Sequence, residues 1–332
     1  MRILQVSPGF HGYWRSIEQA LRTRGHDVVT HVYDDRPSLP ARLGHKLGHE
    51  LPERLGASRH DAYVRATTAR TLAALREHRP DAVLVVKGDV LGAAFWAELD
   101  RIPHALWLYD EIRRTRHTTE ELARLGPVAT YSASDAAALA AAGADARHLP
   151  LAFDPGLATE PSRGRGDAVV FVGARYPSRE ALLTGLAQRG VAVTAYGRDW
   201  SRHWVDRLRS WELTRPEVPS GRDVSRAASY RLMADGVAAL NVHGDQDGFT
   251  MRTFEACGVG AVQLIDRADV GELYEPGREV AVFDGLDELV GLCERASRDH
   301  AWADGLREAG RRRTLAEHTF DHRVAVLEEM LR

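Results

Sequence analysis

The sequence predicts an α/β protein with two parallel-sheet domains, and three observations lead to that prediction. Short apolar segments typical of buried strands alternate with helical patterns along the chain, which favours parallel sheets. Residues 155–167 contain three Gly and two Pro and are typical of a linker between domains. The chain has 332 residues, a length that suits two domains.

Composition favours a globular protein that works in water, because the chain is 44% hydrophobic and 27% charged. Its net charge of −3 gives no reason to expect nucleic acid or an anionic membrane as a partner. No apolar run reaches transmembrane length, and the first residues are typical of a strand and a turn rather than a signal peptide. Cys257 and Cys293 fall in separate helical patterns, so we expect no disulfide and a cytoplasmic location.

The first predicted domain begins with a strand over Arg2–Val6 and a glycine-spaced turn, followed by a helix over Trp14–Arg24. Open α/β sheets bind ligands at the carboxyl ends of their strands. We therefore predict that His11 is a general base or an acceptor-positioning group, since imidazole titrates near neutrality. Gly9 and Gly12 would let a substrate approach the backbone closely. A tight turn without a functional role is the alternative.

Two more strands of this domain are followed by charged residues. Residues 81–86 form an apolar run that ends at Lys87 and Asp89, and residues 104–108 precede Asp110. We predict that Lys87 and Asp89 lie on the acceptor side of the site. Asp110 competes with His11 for the role of base, and ordinary loop positions are the alternative for both.

No metal or cofactor site is predicted. His45 and His49 are four residues apart and would share one face of a helix, but no third ligand is nearby. The polar segment around them, residues 34–59, suits either a solvated excursion or a mobile cover over an acceptor.

The second predicted domain is organised around one strand, one turn and one helix. Residues 236–241 form an apolar strand, a turn rich in Gly and Asp follows, and a helical pattern covers Thr250–Cys257. Free N–H groups at a helix start attract phosphate, and Arg252 lies in the first turn. Glu255 lies on the same face, where a carboxylate can accept hydrogen bonds from sugar or ribose hydroxyls. A solvated Arg–Glu pair on an ordinary helix is the alternative.

The string Asp-Gly-Phe-Thr-Met-Arg-Thr-Phe-Glu-Ala at residues 247–256 resembles the acid-Gly-Phe…Glu signature of GT-B glycosyltransferases. Asp247 replaces the usual first Glu of that signature. The string is more closely similar to the CgeB-like, "glycosyl transferases group 1" families, whose pattern continues at residues 270–280, 283–289 and 317–323. The resemblance covers most of residues 168–330.

This resemblance implies a GT-B fold, in which two Rossmann-like domains face a cleft. Residues 1–154 would form the acceptor-binding domain and residues 168–318 the nucleotide-sugar-binding domain. Residues 319–332 would form a helix that packs back on the first domain.

The implied activity is metal-independent transfer of a sugar from a nucleotide-diphosphate sugar, with UDP as the expected nucleotide, to a small-molecule or glycan acceptor. Asp247 would contact the donor sugar as a catalytic residue. Glu255 would hold the ribose, and Arg252, Arg175 and Arg179 would stabilise the leaving diphosphate. The donor-binding residues that the resemblance implies are Gly173, Arg175, Arg179, Tyr196, Gly197, His243, Gly248, Phe249, Thr250, Arg252 and Glu255.

Two other functions are compatible with these residues: a nucleotide-sugar epimerase on the same fold, and a non-catalytic nucleotide-sugar-binding protein. The stereochemical outcome is open as well, because the acid spacing resembles retaining families while a catalytic His resembles inverting ones. The sequence does not establish the nucleotide, the sugar, the acceptor, the identity of the base or the oligomeric state.

Overall fold

The computed structural model describes residues 1–35, 60–158, 166–210, 214 and 216–332, with the backbone alone for residues 208–210. The chain divides into two compact units. The first comprises residues 1–150 and 320–332, and the second comprises residues 151–319.

The first unit contains a six-stranded parallel sheet with the order β2-β1-β3-β4-β5-β6. Its strands are β1 (Arg2–Ser7), β2 (Asp27–Val32), β3 (Ala82–Val86), β4 (His104–Leu108), β5 (Val128–Thr130) and β6 (Ala146–His148). The helices described before residue 150 are α1 (Tyr13–Thr23), α2 (His60–His78), α3 (Ala93–Leu99), α4 (Thr119–Leu122) and α5 (Ala133–Ala141).

The centre of this sheet is apolar because helices cover both faces. All five residues of β3 are buried, as the continuous run Ala-Val-Leu-Val-Val requires. Leu4, Val6, Leu106 and Phe95 of α3 are fully buried in the same core. Each such side chain contributes roughly 1.5–3 kcal/mol relative to an exposed position.

The strand order reverses direction between β1 and β3, which are paired from Ile3↔Ala82 to Val6↔Val85. Loops at such a switch point diverge and leave a crevice at the carboxyl edge of the sheet. Residues 8–12 and 87–92 occupy this position in the first unit.

The second unit contains a six-stranded parallel sheet with the order β12-β11-β10-β7-β8-β9. Its strands are β7 (Val169–Val172), β8 (Val193–Tyr196), β9 (Ser220–Gly221), β10 (Ala239–Asn241), β11 (Gln263–Ile265) and β12 (Ala281–Val282). Its helices are α6 (Pro177–Gln188), α7 (Trp204–Ser210), α8 (Arg226–Asp235), α9 (Met251–Gly258), α10 (Leu286–Arg298) and α11 (His300–Glu317). The switch point of this sheet lies between β7 and β10.

Helix α12 (Phe320–Met330) belongs to the first unit. The Phe320 ring lies 6.5 Å from the ring of Tyr13 and 6.4 Å from that of Trp107. Val324 and Leu327 are fully buried, and Arg323 Nε donates to Pro150 O at 2.8 Å.

The division between the units falls at residues 150 and 151, four residues before the end of the first domain that we assigned from the sequence. Phe153 N donates to His318 O at 2.9 Å, and its ring stacks on Tyr230 at 5.3 Å. Phe153 also packs against Gly258, where a Cβ would lie 2.4 Å from the ring. These contacts tie residues 151–154 to the second unit.

Among the described residues, none of the helices combines the length and the apolar character that crossing a bilayer requires.

Candidate functional site

Two loops meet at the switch point of the second sheet. One is the segment 173–176 after β7, and the other is the β10–α9 loop, residues 242–250. Strands β7 and β10 are direct neighbours, with Phe171 opposite Leu240, so both loops leave the same edge of the sheet. Most of the predicted donor-binding residues lie on these two loops or on the helices that follow them.

His243 anchors the base of the β10–α9 loop. Its backbone N–H donates to both oxygens of Asp266, at 3.0 and 2.9 Å, and its ring Nδ1 lies 3.0 Å from Oδ1 of the same residue. Because an ionised carboxylate only accepts, Nδ1 carries the proton of this contact. The ring Nε2 lies 3.5 Å from Thr253 Oγ1, which also accepts from Asn241 Nδ2 at 2.9 Å. His243, a predicted donor ligand, is therefore buried, and its contacts hold the base of the loop.

Arg252 and Glu255 form an ion pair one turn apart on α9. The Glu255 side chain is fully buried, whereas that of Arg252 is 24% exposed. Arg252 Nε also donates to Val172 O at 3.2 Å, at the end of β7. Glu255, the predicted ligand of the ribose, is therefore inside the protein, and its carboxylate is paired with the Arg252 guanidinium. Thr250 precedes the helix without a side-chain cap, and the first N–H groups of a helix lack acceptors within it.

Arg175 and Arg179 follow β7 as predicted, but both guanidiniums bind protein groups. Arg175 donates to Glu180 through Nε at 2.9 Å and Nη2 at 2.8 Å. Arg179 is 7% exposed, and its Nε and Nη2 donate to Val242 O at 2.9 and 2.6 Å. Arg179 thus ties the start of α6 to the start of the β10–α9 loop.

Gly173 and Gly197 approach each other at the ends of β7 and β8. Gly173 N donates to Tyr196 O at 3.0 Å, and Trp200 Nε1 donates to Gly173 O at 3.0 Å. A Cβ on Gly197 would lie 2.5 Å from Gly173 O, so only glycine fits there. The ring of Tyr196 packs on Gly221, where a Cβ would lie 2.5 Å from it.

The signature residues of the β10–α9 loop differ in exposure. Asp247 is exposed, Gly248 is buried, and Phe249 is half-buried with its ring edge-on to His243 at 5.6 Å. Arg267, which sequence reasoning did not single out, lies over the Phe249 ring at 4.2 Å. The sequence signal that could have identified Arg267 is its position directly after β11, the strand next to β10.

In the first unit, the loop after β1 has an unusual backbone. His11 is exposed and has a φ of +45°, in the left-handed region that non-glycine residues rarely adopt. Gly12 follows with a φ of +71°. Gly9 N donates to Asp34 Oδ1 at 2.6 Å. Phe10, which lies between Gly9 and His11 in the sequence, is 60% exposed.

Lys87, Asp89 and Asp110 come together at the ends of β3 and β4. Lys87 Nζ donates to Asp110 Oδ2 at 2.7 Å and lies 3.9 Å from Asp89 Oδ2. Burial lowers the pKa of Lys87, but the hydrogen bond and the charge of Asp110 raise it by more, so the ammonium stays charged. The Lys87 carbonyl oxygen lies 3.0 Å from Nε2 of His117, whose pKa burial lowers. Lys87 itself has a φ of +66°.

No cluster of three or more His, Cys, Asp or Glu side chains suited to a metal occurs in the part of the chain that the structure describes. His45 and His49 lie outside those residues. Cys257 and Cys293 are both buried and free.

Residues 178–329 match a protein family described as "Glycosyl transferase-like". No curated protein matches the chain.

Solved structures match the whole chain. HepE of Anabaena, in complex with UDP-glucose, is 17% identical, with a TM-score of 0.66 over 100% of this chain and 99% of that chain. Sucrose-phosphate synthase of Thermosynechococcus elongatus is 14% identical, with a TM-score of 0.71 over 99% and 98% of the two chains. A DNA-modifying β-glucosyltransferase is 11% identical, with a TM-score of 0.62 over 100% and 99%. This likeness confirms the predicted GT-B fold.

Proposed function

We propose that this chain, whose residues 178–329 match the glycosyl transferase-like family, is a glycosyltransferase that moves a sugar from a UDP-sugar to an acceptor hydroxyl. The observation that carries the proposal is the start of helix α9 at the switch point of the second sheet, with Arg252 in its first turn. N–H groups at a helix start and a guanidinium are ligands for a diphosphate.

Support for uridine as the nucleotide comes from two of the structures of similar fold. HepE was solved in complex with UDP-glucose, and uridine diphosphoglucose is named as the substrate of the β-glucosyltransferase. We propose that Asp247, exposed on the β10–α9 loop, contacts the donor sugar. Glu255 would act on the ribose through Arg252, which covers its carboxylate.

The reaction breaks the bond between the anomeric carbon and a diphosphate oxygen, and UDP leaves with the electron pair. The acceptor oxygen bonds to the anomeric carbon and gives its proton to a base. Arg252 and the N–H groups at the start of α9 oppose the charge that builds on the diphosphate. We propose that this stabilisation needs no metal. Arg175 and Arg179 act by fixing the loops around the diphosphate, because their guanidiniums hold Glu180 and Val242.

We propose that the acceptor binds at the switch point of the first sheet. His11, whose exposed imidazole is presented by a strained backbone, is the proposed base. Lys87, Asp89 and Asp110 would hydrogen-bond the hydroxyls of the acceptor, and Gly9 and Gly12 would leave room for it.

The test is a panel of nucleotides and nucleotide sugars measured by thermal shift and calorimetry, because a ligand that binds the folded state raises its melting temperature by mass action. We expect UDP and a UDP-sugar to stabilise the protein more than other nucleotides do. Slow release of free sugar and UDP from the donor would demonstrate catalysis.

Three outcomes would contradict the proposal. If no nucleotide sugar stabilises the protein, the donor assignment fails. Tight binding without turnover, with or without candidate acceptors, would indicate a binding protein. Conversion of one nucleotide sugar into another would indicate an epimerase.

A further inference from the structure

Two consecutive residues after β11 hold the β10–α9 loop from the neighbouring strand. Asp266 accepts the backbone N–H of His243, as described above. Arg267 reaches further along the loop: its Nη1 donates to Gln246 O at 2.9 Å and to Asp247 O at 2.7 Å. Gly248 O lies 3.4 Å from the same nitrogen.

The guanidinium of Arg267 is itself fixed on two further sides. Its plane lies over the Phe249 ring, 4.2 Å from the centroid. Its Nε donates to Asp269 Oδ1 at 2.9 Å, and its Nη2 pairs with Oδ2. The side chain is 19% exposed, so these contacts form largely away from water, where hydrogen bonds from a charged donor are strongest.

These contacts converge on the segment that carries the proposed donor ligands. Asp247 is the middle one of the three residues whose carbonyl oxygens contact Arg267. Phe249 comes shortly before the start of helix α9. A lysine cannot reproduce the arrangement, because a point charge does not stack on an aromatic ring while donating from a planar fork.

We infer that Arg267 is a positioning residue for the donor: it fixes the backbone of residues 246–248 so that Asp247 and the start of α9 meet the sugar and the diphosphate. The inference rests on the proposed function. A loop held in its bound conformation before the donor arrives does not lose that freedom on binding, which strengthens the affinity.

The test compares Arg267→Met with the wild type, with Arg267→Lys as the conservative variant. Arg189→Met is the matched control, because Arg189 pairs with Asp287 on an exposed face of the same unit. Hydrogen exchange of the ligand-free proteins measures the loop directly. Calorimetry with UDP and UDP-glucose measures its consequence for binding.

We expect Arg267→Met to speed amide exchange in residues 244–250 while exchange in β7 and α10 stays as in the wild type. Its dissociation constant for UDP-glucose should rise by about 10-fold or more. The dissociation constant for UDP should rise less, because the proposed contact of Asp247 is with the sugar, which UDP lacks. Arg267→Lys should resemble Arg267→Met, and Arg189→Met should resemble the wild type.

Unchanged exchange in the loop of Arg267→Met would overturn the inference, as would a UDP-glucose affinity within twofold of the wild type. Faster exchange throughout the second sheet, with UDP and UDP-glucose weakened equally, would also overturn it, because that pattern indicates a general stabilising role. A wild-type protein that binds no nucleotide sugar would instead overturn the proposed function, whatever the exchange of the variant.

Discussion

The ammonium of Lys87 donates a hydrogen bond to Oδ2 of Asp110 at 2.7 Å, across the ends of the adjacent strands β3 and β4. This pair distinguishes the two candidates for the base. One oxygen of the Asp110 carboxylate already accepts this hydrogen bond and is held by the Lys87 ammonium. His11 is exposed on the neighbouring switch-point loop, so we propose that His11 takes the proton and that Asp110 binds the acceptor.

We predict that His11→Ala lowers turnover by roughly 10²–10⁴-fold, the usual contribution of a general base. The dissociation constant of the donor should barely change, because the proposed donor residues lie on the second unit. Rate profiles against pH should show an acidic limb in the wild type, from protonation of the imidazole, that the variant lacks.

Asp110→Asn is the companion variant for that measurement. We expect it to raise the KM for the acceptor more than it lowers kcat. If turnover survives His11→Ala within a few-fold and Asp110→Asn abolishes it, the base is Asp110. If neither substitution matters, no protein base is needed, and a retaining mechanism is favoured.

We predict that Arg252→Ala costs more stability than a surface arginine does. Glu255 is fully buried against Arg252, and removing one partner of a buried ion pair typically costs about 3–5 kcal/mol. Urea unfolding of Arg252→Ala, Arg252→Ala/Glu255→Gln and the exposed control Arg189→Ala measures this. The double variant should recover part of the loss, since it removes the buried charge. Equal midpoints for Arg252→Ala and Arg189→Ala would refute the prediction.

We predict that Gly197→Ala destabilises the second unit and weakens donor binding. A Cβ there would lie 2.5 Å from Gly173 O, and the strain typically costs about 1–3 kcal/mol. Gly291→Ala is the matched control in the interior of α10, where a Cβ meets nothing within 4 Å. It should be stabilising by roughly 0.5–1 kcal/mol because Ala favours a helix. Thermal melts with and without UDP compare the two, and a neutral Gly197→Ala would contradict the close approach.

We predict that Asp206 contributes stability that is lost in acid. Arg222 donates two hydrogen bonds to its carboxylate, at 2.6 and 3.0 Å, and Ser201 Oγ donates a third at 2.7 Å. The hydrogen bonds from Arg222 first, and then that from Ser201, lower its pKa to about 2. A lowered folded-state pKa means that the contribution is complete above about pH 4, the unfolded value, and disappears as the pH falls towards 2.

Thermal melts of wild type and Asp206→Asn between pH 2 and pH 5 provide the check. The gap between their melting temperatures should be widest near pH 5 and should narrow in acid. Asp287→Asn is the control: its side chain is 85% exposed, and because an exposed ion pair adds little stability, its melting temperature should stay close to that of the wild type throughout. A gap that stays constant down to pH 2 would refute the prediction.

Much of the fold was predictable because local patterns determine it. The run Ala-Val-Leu-Val-Val required a strand buried on both faces, and the Gly-rich turn before Thr250 marked the start of α9 one residue from where the structure places it. Those features depend on residues that are adjacent in sequence.

Side-chain partners were less predictable because they depend on strand order and rotamers. The (i, i+3) spacing of Arg252 and Glu255 allowed both a solvated pair and two separate ligands. The burial of Glu255, and the hydrogen bond from Arg252 to Val172 O at the end of β7, depend on the folded second unit. Arg267 is 19 to 21 residues from the carbonyls that it contacts, and the adjacency of β10 and β11 brings it there. The boundary at residue 150 depended in the same way on the distant contacts of Phe153.

The contribution of α12 to the first unit has a consequence for biosynthesis. Residues 1–150 leave the ribosome well before residues 320–332, and the whole second unit is made in between. Until Phe320 emerges, Tyr13 and Trp107 lack one of the aromatic rings that they contact in the finished protein, and Val324 and Leu327, which are fully buried there, are not yet in place. Domains usually fold in the order of their synthesis. Here the unit that is translated first is completed last, so the nascent chain carries an unfinished apolar face throughout translation of the second unit.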